Sequence, residues 1–88
     1  MKITNNVTKD FLLSSIRFLN TQIIRCARNI KGYDNLIEKE RKMLNNTYHD
    51  PSKLWEYRYL RDYNVKMKRL FQSEMKLYQK ILSAKFES

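Results

Sequence analysis

The first half of the chain carries a mostly apolar stripe with helical spacing. From Leu12 to Leu44, its members recur at alternating steps of four and three residues. This spacing is typical of a helix that packs one narrow face against a partner helix. The stripe holds Leu12, Ile16, Leu19, Ile23, Cys26, Ile30, Tyr33, Ile37, Glu40 and Leu44. We therefore predict a first helix over residues 8–45, with Thr8 as its N-cap.

Gly32 lies inside this stripe. A glycine in a helix interior costs ~1 kcal/mol relative to alanine, so Gly32 could bend the helix or divide it. The stripe keeps the same phase on both sides of Gly32. This favours one long helix, kinked or straight, over two separate helices.

A polar turn and a strong helix start follow the stripe. The predicted turn, residues 46–50, leads into Asp50-Pro51, in which aspartate can cap free N–H groups and proline suits a first helical position. We predict a second helix over residues 51–86 and a polar arm over residues 1–7. Each helix would be ~50 Å long at 1.5 Å per residue. So short a link makes the two helices antiparallel.

The expected fold is therefore all-α, an antiparallel two-helix hairpin that forms one domain over residues 1–88. Such a pair has little interior, so one hairpin alone would be marginally stable. The first helix carries a second apolar set, which we place nearly opposite its stripe. This set holds Phe11, Phe18, Leu36 and Met43. We expect it to drive dimerisation into a helical bundle; docking on a partner, or a first helix split and folded back at Gly32, are the alternatives.

The second helix is predicted to have two opposed faces. On a wheel that turns ~100° per residue, apolar side chains fall on one arc and basic side chains on another. The apolar arc holds Met67, Leu70, Phe71, Leu77, Tyr78, Ile81 and Leu82. The basic arc holds Arg58, Arg69, Lys76 and Lys80, flanked by Arg61 and Lys68. We expect the apolar arc to pack on the first helix and the basic arc to meet negative charge.

The charge balance indicates the kind of partner. The chain has 18 basic and 9 acidic side chains, a net charge of +9. Such an excess favours an acidic partner, and nucleic acid or a nucleoprotein complex is the favoured class. Arg25 and Arg28 of the first helix are expected to join the basic arc in one shared surface.

An aromatic and basic segment opens the second helix. Residues 55–63 interleave Trp55, Tyr59 and Tyr63 with arginines. Aromatic rings can stack on unpaired bases while arginine contacts phosphates. Trp55 falls on the basic side and is a binding candidate, although it could instead close the turn end of the hairpin together with Leu54. We place Tyr59 and Tyr63 at the edge of the core.

Residues that could carry catalysis or bind a metal are few. His49 and Cys26 are each the single residue of their type, so neither a zinc site nor a nucleophile with its base is predicted. Cys26 is expected to pack as a small core residue. Glu40 and Glu74 fall at predicted interface positions, where polar side chains set register. We predict no enzyme activity, no catalytic residue, no cofactor and no metal.

The predicted function is that of a small basic binding protein, non-enzymatic and acting on nucleic acid or a nucleic-acid-handling complex. A phage-type regulator or inhibitor fits this size and charge. The alternative is a structural or assembly adaptor that acts through helix–helix contacts. No secretory signal and no apolar run of ~20 residues is evident, so we expect a cytoplasmic protein (host cytoplasm if phage-encoded) and disfavour membrane binding.

Overall fold

The computed structural model describes residues 8–44 and 50–86 and contains two α-helices. Helix α1 spans Lys9–Met43 and helix α2 spans Ser52–Phe86, each of 35 residues. They pack against each other along their length, which confirms the predicted all-α two-helix hairpin. The predicted arm over residues 1–7 and the segment 45–49 lie outside the described residues.

Both helices begin at side-chain caps. The Thr8 hydroxyl oxygen accepts a hydrogen bond from the backbone N–H of Phe11 at 3.1 Å, which confirms the predicted N-cap of α1. Before α2, the Asp50 carboxylate accepts hydrogen bonds from the backbone N–H and the hydroxyl of Ser52, both at 3.0 Å. These caps satisfy donors that the first helical turn leaves open.

Helix α1 runs through Gly32 without interruption. Its backbone there is helical, and no glycine in the described residues has a positive φ. The alternative of a helix split at Gly32 is therefore wrong. The position is exposed, and a Cβ added to Gly32 would meet no heavy atom within 4 Å. A long helix packed along its length tolerates this one weak helix former, because tertiary packing supplies most of its stability.

Contacts between the helices establish an antiparallel register. Three side-chain pairs cross the interface. From one pair to the next, the residue number increases in α1 while that of its partner in α2 decreases. In the order of α1, the pairs are Phe11–Tyr78, Asn29–Asn64 and Tyr33–Tyr57. The first pair packs edge to face with ring centroids 6.4 Å apart, and the third has centroids 6.2 Å apart.

The core is a single row of side chains along this interface. Its buried apolar members are Leu12, Leu19, Cys26 and Ile37 of α1 and Leu54 and Leu82 of α2. All four α1 members belong to the predicted stripe, and so does the buried Glu40. The predicted interface face of α1 is therefore confirmed, as is the burial of Cys26.

The interface face of α2 agrees with the prediction only in part: Leu82 of the predicted apolar arc is buried, and Met67, Phe71, Tyr78 and Ile81 are half-buried. Leu70 and Leu77 of the predicted apolar arc are 54% and 56% exposed, and Glu74, predicted at the interface, is also exposed. Nine of the buried or half-buried positions repeat at steps of three and four, and we call these nine the α2 seam. They are Leu54, Tyr57, Arg61, Asn64, Lys68, Phe71, Met75, Tyr78 and Leu82. The arc was misplaced because three polar residues occupy seam positions, which an apolar pattern cannot identify.

The hairpin is a thin rod, one layer of helices deep. Its principal extents are 63 × 24 × 15 Å, and its radius of gyration is 19.4 Å. A compact domain of this length would have a radius of gyration of about 12 Å. The accessible surface is 7155 Å², whereas about 5,500 Å² is typical of a compact monomer of this mass. Much of each helix therefore remains available to other molecules.

Candidate functional site

The hairpin presents two different flanks on either side of its interface. One residue before a seam position lies ~100° to one side, and one residue after it lies ~100° to the other. In an antiparallel pair, equal rotational offsets on the two helices fall on the same side of the hairpin. The residues just before and just after the seam positions thus define two opposite surfaces, each shared by α1 and α2.

Three of the nine residues just after the α2 seam positions are basic. Arg58, Arg69 and Lys76 each follow a seam position by one residue, and Lys80 continues the row; we call these four the basic flank. Arg69, Lys76 and Lys80 are exposed, and Arg58 is half-buried. None of the four forms an ion pair with another of the described residues. Their charge is therefore available to a partner.

Arg61 differs from these four because it is already paired. Its guanidinium lies 3.4 Å from the Asp34 carboxylate of α1 and 3.0 Å from that of Asp62. Hydrogen bonds to Asp62 and then Asp34 raise the pKa of Arg61 above its ordinary value, so the group stays charged. Its predicted role in partner binding is weakened, because two carboxylates already balance its charge. Lys68, the other predicted flanking residue, is a half-buried seam residue.

Arg25 and Arg28 of α1 do not join the basic flank as predicted. Arg25 precedes the buried Cys26 by one residue, which places it on the opposite flank. Arg28 lies ~200° around the helix from Cys26, on the far side of α1. Both are exposed and line a hollow on α1, apart from the basic flank. Sequence reasoning missed Arg41, which follows the buried Glu40 by one residue and so faces the same side as the basic flank.

The residues just before the seam positions are mostly apolar. On α1 the apolar ones include Phe11, Phe18, Leu36 and Met43, and on α2 they include Leu60, Met67 and Ile81; Arg25 and Lys39 are the charged exceptions on α1. With the ring edges of Phe71 and Tyr78 they form what we call the apolar flank. The α1 set therefore lies beside the interface, and its predicted place nearly opposite the interface is wrong. The contact of Phe11 with Tyr78 of α2 demonstrates this directly.

A groove of about 450 Å³ crosses the apolar flank near the start of α1. Phe11 and Phe18 form one wall, Phe71 and Tyr78 form the other, and the Glu74 carboxylate lies at its edge. Phe11 and Phe18 remain 51% and 60% exposed. A groove with apolar walls and one charged edge suits an apolar side chain of a partner.

The aromatic segment at the start of α2 faces outward. One alternative was that Leu54 and Trp55 together close the turn end of the hairpin. Leu54 is buried there, but Trp55 is 65% exposed and is not buried with it. Tyr59 and Tyr63 are each more than half exposed, so their predicted place at the core edge is wrong. They point away because the α2 seam follows Arg61 and Asn64 rather than the tyrosines.

The described part of the chain contains no group of three or more His, Cys, Asp or Glu side chains placed to hold a metal ion. Nor is either helix, over the same residues, long and apolar enough to cross a membrane.

Comparison with protein-family models, with curated proteins and with solved structures finds no match to this chain. Function is therefore inferred from the side chains themselves.

Proposed function

We propose that this chain is a non-enzymatic nucleic-acid-binding protein that lays its basic flank along a sugar–phosphate backbone. The main support is the basic flank, whose four side chains form no ion pair with other described residues. They are Arg58, Arg69, Lys76 and Lys80. Solvated helix faces usually mix both signs of charge. Among the described residues of α2, Asp62 is the only acid on this side of the hairpin, and Arg61 already binds it at 3.0 Å.

The length of the row suits a polynucleotide. From Arg58 to Lys80 the helix rises ~33 Å at 1.5 Å per residue. Phosphates along one strand are spaced ~3.4 Å apart, so the row matches about ten nucleotides. Lysine and arginine that neutralise phosphates release condensed counterions, and this release supplies much of the affinity of such complexes. The four side chains fall within ~40° of one another around α2, so all of them can face one backbone.

The test is a charge reversal measured by fluorescence anisotropy on a labelled 20-nucleotide strand. Arg69→Glu with Lys76→Glu should weaken binding at least about 10-fold. The slope of log K against log salt concentration should become shallower by the amount expected for the loss of about two phosphate contacts. The matched control is Arg28→Glu with Lys42→Glu, which changes the net charge equally on the far side of α1, because Lys42 lies ~200° around the helix from Glu40 as Arg28 does from Cys26. Equal losses in both variants would refute a localised site. Wild-type affinity unchanged between about 50 and 200 mM salt would refute phosphate binding.

The same basic flank could act within a larger assembly, as a regulator or inhibitor that occupies the nucleic-acid channel of a protein complex. Recovery of the tagged protein from its host cells, with and without nuclease, distinguishes the two settings. Partners lost after nuclease treatment are bridged by nucleic acid, whereas partners that persist contact the protein directly. Charge reversal on the basic flank should abolish recovery in either setting.

The apolar flank favours a second candidate function, assembly of two copies into a four-helix bundle. The groove between Phe11, Phe18, Phe71 and Tyr78 leaves large apolar side chains in water, which soluble monomers rarely do over an extended surface. The edges of this flank carry both signs of charge, Arg25 and Glu74, so a second copy meets little repulsion there. In such a bundle the two basic flanks would face outward on opposite sides.

Sedimentation analysis tests this assembly. Phe18→Glu places a charge on the apolar flank and should convert a dimer into a monomer. Ile24→Glu is the matched control, because Ile24 is exposed and follows the interface residue Ile23 by one position, which places it on the side of the hairpin opposite the apolar flank. A wild-type monomer at high concentration, or a dimer unaffected by Phe18→Glu, would exclude assembly through this flank.

A further inference from the structure

Three aromatic side chains form an exposed row at the start of α2. Trp55, Tyr59 and Tyr63 follow one another at intervals of four residues and are 65%, 71% and 52% exposed. Each interval raises the position by ~6 Å along the helix and rotates it by only ~40°. The three rings therefore lie along one edge of α2, and we call them the aromatic row.

The aromatic row takes no part in the packing of the hairpin. Within residues 8–44 and 50–86 the ring–ring contacts are Phe11–Tyr78 and Tyr33–Tyr57, and neither involves the row. Full burial of one aromatic side chain stabilises a folded protein by ~1.5–3 kcal/mol. The three largely exposed rings of the row do not provide this full stabilisation in the free protein. Tryptophan and tyrosine are also the residues most enriched among energetically dominant contacts at interfaces.

The surroundings of the row are cationic on balance, because Arg58, Arg61 and Lys66 outnumber Glu56 and Asp62. Trp55 lies ~60° from Arg58, the first member of the basic flank, so the row begins beside that flank. Lys66 lies with Tyr59, Tyr63 and Asp62 around a shallow hollow of about 210 Å³. The Asp62 carboxylate in that hollow accepts hydrogen bonds from the Arg61 guanidinium at 3.0 and 3.2 Å, which balances its charge. A ligand of the row therefore has apolar faces and negative charge.

We infer that the aromatic row stacks on unpaired bases, so that the nucleic acid bound by this protein is single-stranded. The inference rests on the proposed function and adds the class of nucleic acid to it. A duplex covers the faces of its bases, whereas a single strand can offer each base to a ring while its phosphates meet nearby cations. One base inserted between two rings needs about 6.8 Å, twice the ~3.4 Å rise of stacked bases, which is close to the interval of the row.

Trp55 is the only tryptophan of the chain and reports on the row directly. The probes are a 20-nucleotide oligothymidine, a 20-nucleotide oligouridine and a 20-base-pair duplex, each titrated into the intact protein at about 100 mM salt. Either single strand should quench Trp55 fluorescence and bind at least about 10-fold tighter than the duplex, because only unpaired bases reach the rings.

Ring removal separates stacking from charge. Tyr59→Ala or Tyr63→Ala should weaken single-strand binding by about 5- to 150-fold, the range of one base–aromatic stack, and leave duplex binding unchanged. Tyr59→Phe should keep the wild-type affinity because it retains the ring. Leu77→Ala is the matched control, since Leu77 is equally exposed on α2 but has no ring. Circular dichroism establishes that each variant is folded.

The outcomes distinguish the two proposals. Equal affinity for single strand and duplex without quenching of Trp55 overturns the stacking role but leaves the basic flank intact. Failure of all three nucleic acids to bind overturns the proposed function together with this inference. Quenching by single strands that persists undiminished in Tyr59→Ala and Tyr63→Ala overturns the row as a unit, because Trp55 would then act alone.

Discussion

The side-chain amide of Asn29 in α1 donates a hydrogen bond to the side-chain oxygen of Asn64 in α2 at 3.1 Å. Asn64 is buried, and its own amide donates to the backbone carbonyl of Leu60 at 2.8 Å. A shift of either helix along the interface would break the pair and leave polar atoms buried. A single asparagine at an interface position is a known device for setting register. Asn29 and Asn64 therefore fix which residues face each other.

Asn64→Leu should stabilise the hairpin and weaken its register. Leucine adds apolar burial at the seam, and water can satisfy the exposed Asn29, so the free energy of unfolding should rise by about 1 kcal/mol. The oligomeric state should become mixed, because the polar pair no longer selects one alignment. Urea unfolding and sedimentation measure the two effects. Asn29→Ala is the contrast and should destabilise by about 1 kcal/mol, since it leaves Asn64 without its donor.

Gly32→Ala should raise the free energy of unfolding by about 1 kcal/mol. Alanine is the better helix former, and the added Cβ has open space around it. Urea unfolding followed by circular dichroism measures the change, with Ala27→Gly as the reverse substitution on the same helix. A loss of stability in Gly32→Ala would mean that another molecule approaches the backbone closely at this position.

Leu12→Ala should destabilise the hairpin by about 2–5 kcal/mol, because Leu12 is fully buried at the interface. A core this small supplies only a small free energy of unfolding, so the variant should be largely unfolded at 37 °C. Leu77→Ala, the same substitution at an exposed site of α2, should stay within about 0.5 kcal/mol of wild type. Thermal unfolding compares the two. Similar losses at both sites would show that Leu77 is covered in solution, by a second copy or otherwise.

Arg61→Gln should change nucleic-acid affinity less than Arg69→Gln does. The Arg61 guanidinium is held by Asp34 and Asp62, whereas Arg69 is exposed without an ion-pair partner among the described residues. Loss of Arg69 should make the slope of log K against log salt concentration shallower by the amount expected for the loss of about one phosphate contact. Loss of Arg61 should lower stability only slightly, because exposed ion pairs contribute little to folding. Anisotropy titrations at several salt concentrations make the comparison, and a larger affinity loss at Arg61 would contradict it.

The Cys26 thiol should react slowly while the protein is folded. Cys26 is buried at the interface, so a thiol reagent reaches it only when the helices separate. Alkylation in buffer should be at least about 100-fold slower than in 8 M urea, which corresponds to about 3 kcal/mol of stability against opening. Equal rates would show that the helices separate readily in the free protein.

The interface face of α1 could be predicted from sequence because its members are nearly all apolar. Leu12, Leu19, Cys26 and Ile37 keep heptad spacing, and burial follows directly from it. The caps at Thr8 and Asp50 could also be predicted from the sequence, because capping depends on residues that are close together in the chain. The continuity of α1 through Gly32 followed from the phase of the stripe on its two sides.

The interface face of α2 could not be predicted in this way. Arg61, Asn64 and Lys68 occupy its centre, and nothing local in the sequence distinguishes an interface asparagine from a solvated one. Their place depends on Asp34 and Asn29, which lie 27 and 35 residues away in the chain. The apolar pattern correctly identified Phe71, Tyr78 and Leu82 but also included Leu70 and Leu77, which are exposed.

The sequence by itself determined two long helices, their caps, their antiparallel order and the charge of the chain, because these depend on composition and on short-range spacing. The tertiary structure decided which side of α2 meets α1. That choice placed Phe11 and Phe18 beside the interface, separated Arg25 and Arg28 from the basic flank and turned Trp55, Tyr59 and Tyr63 outward. The reason is physical: rotation of a helix about its own axis is set by the side chains of its partner, and no local pattern contains them.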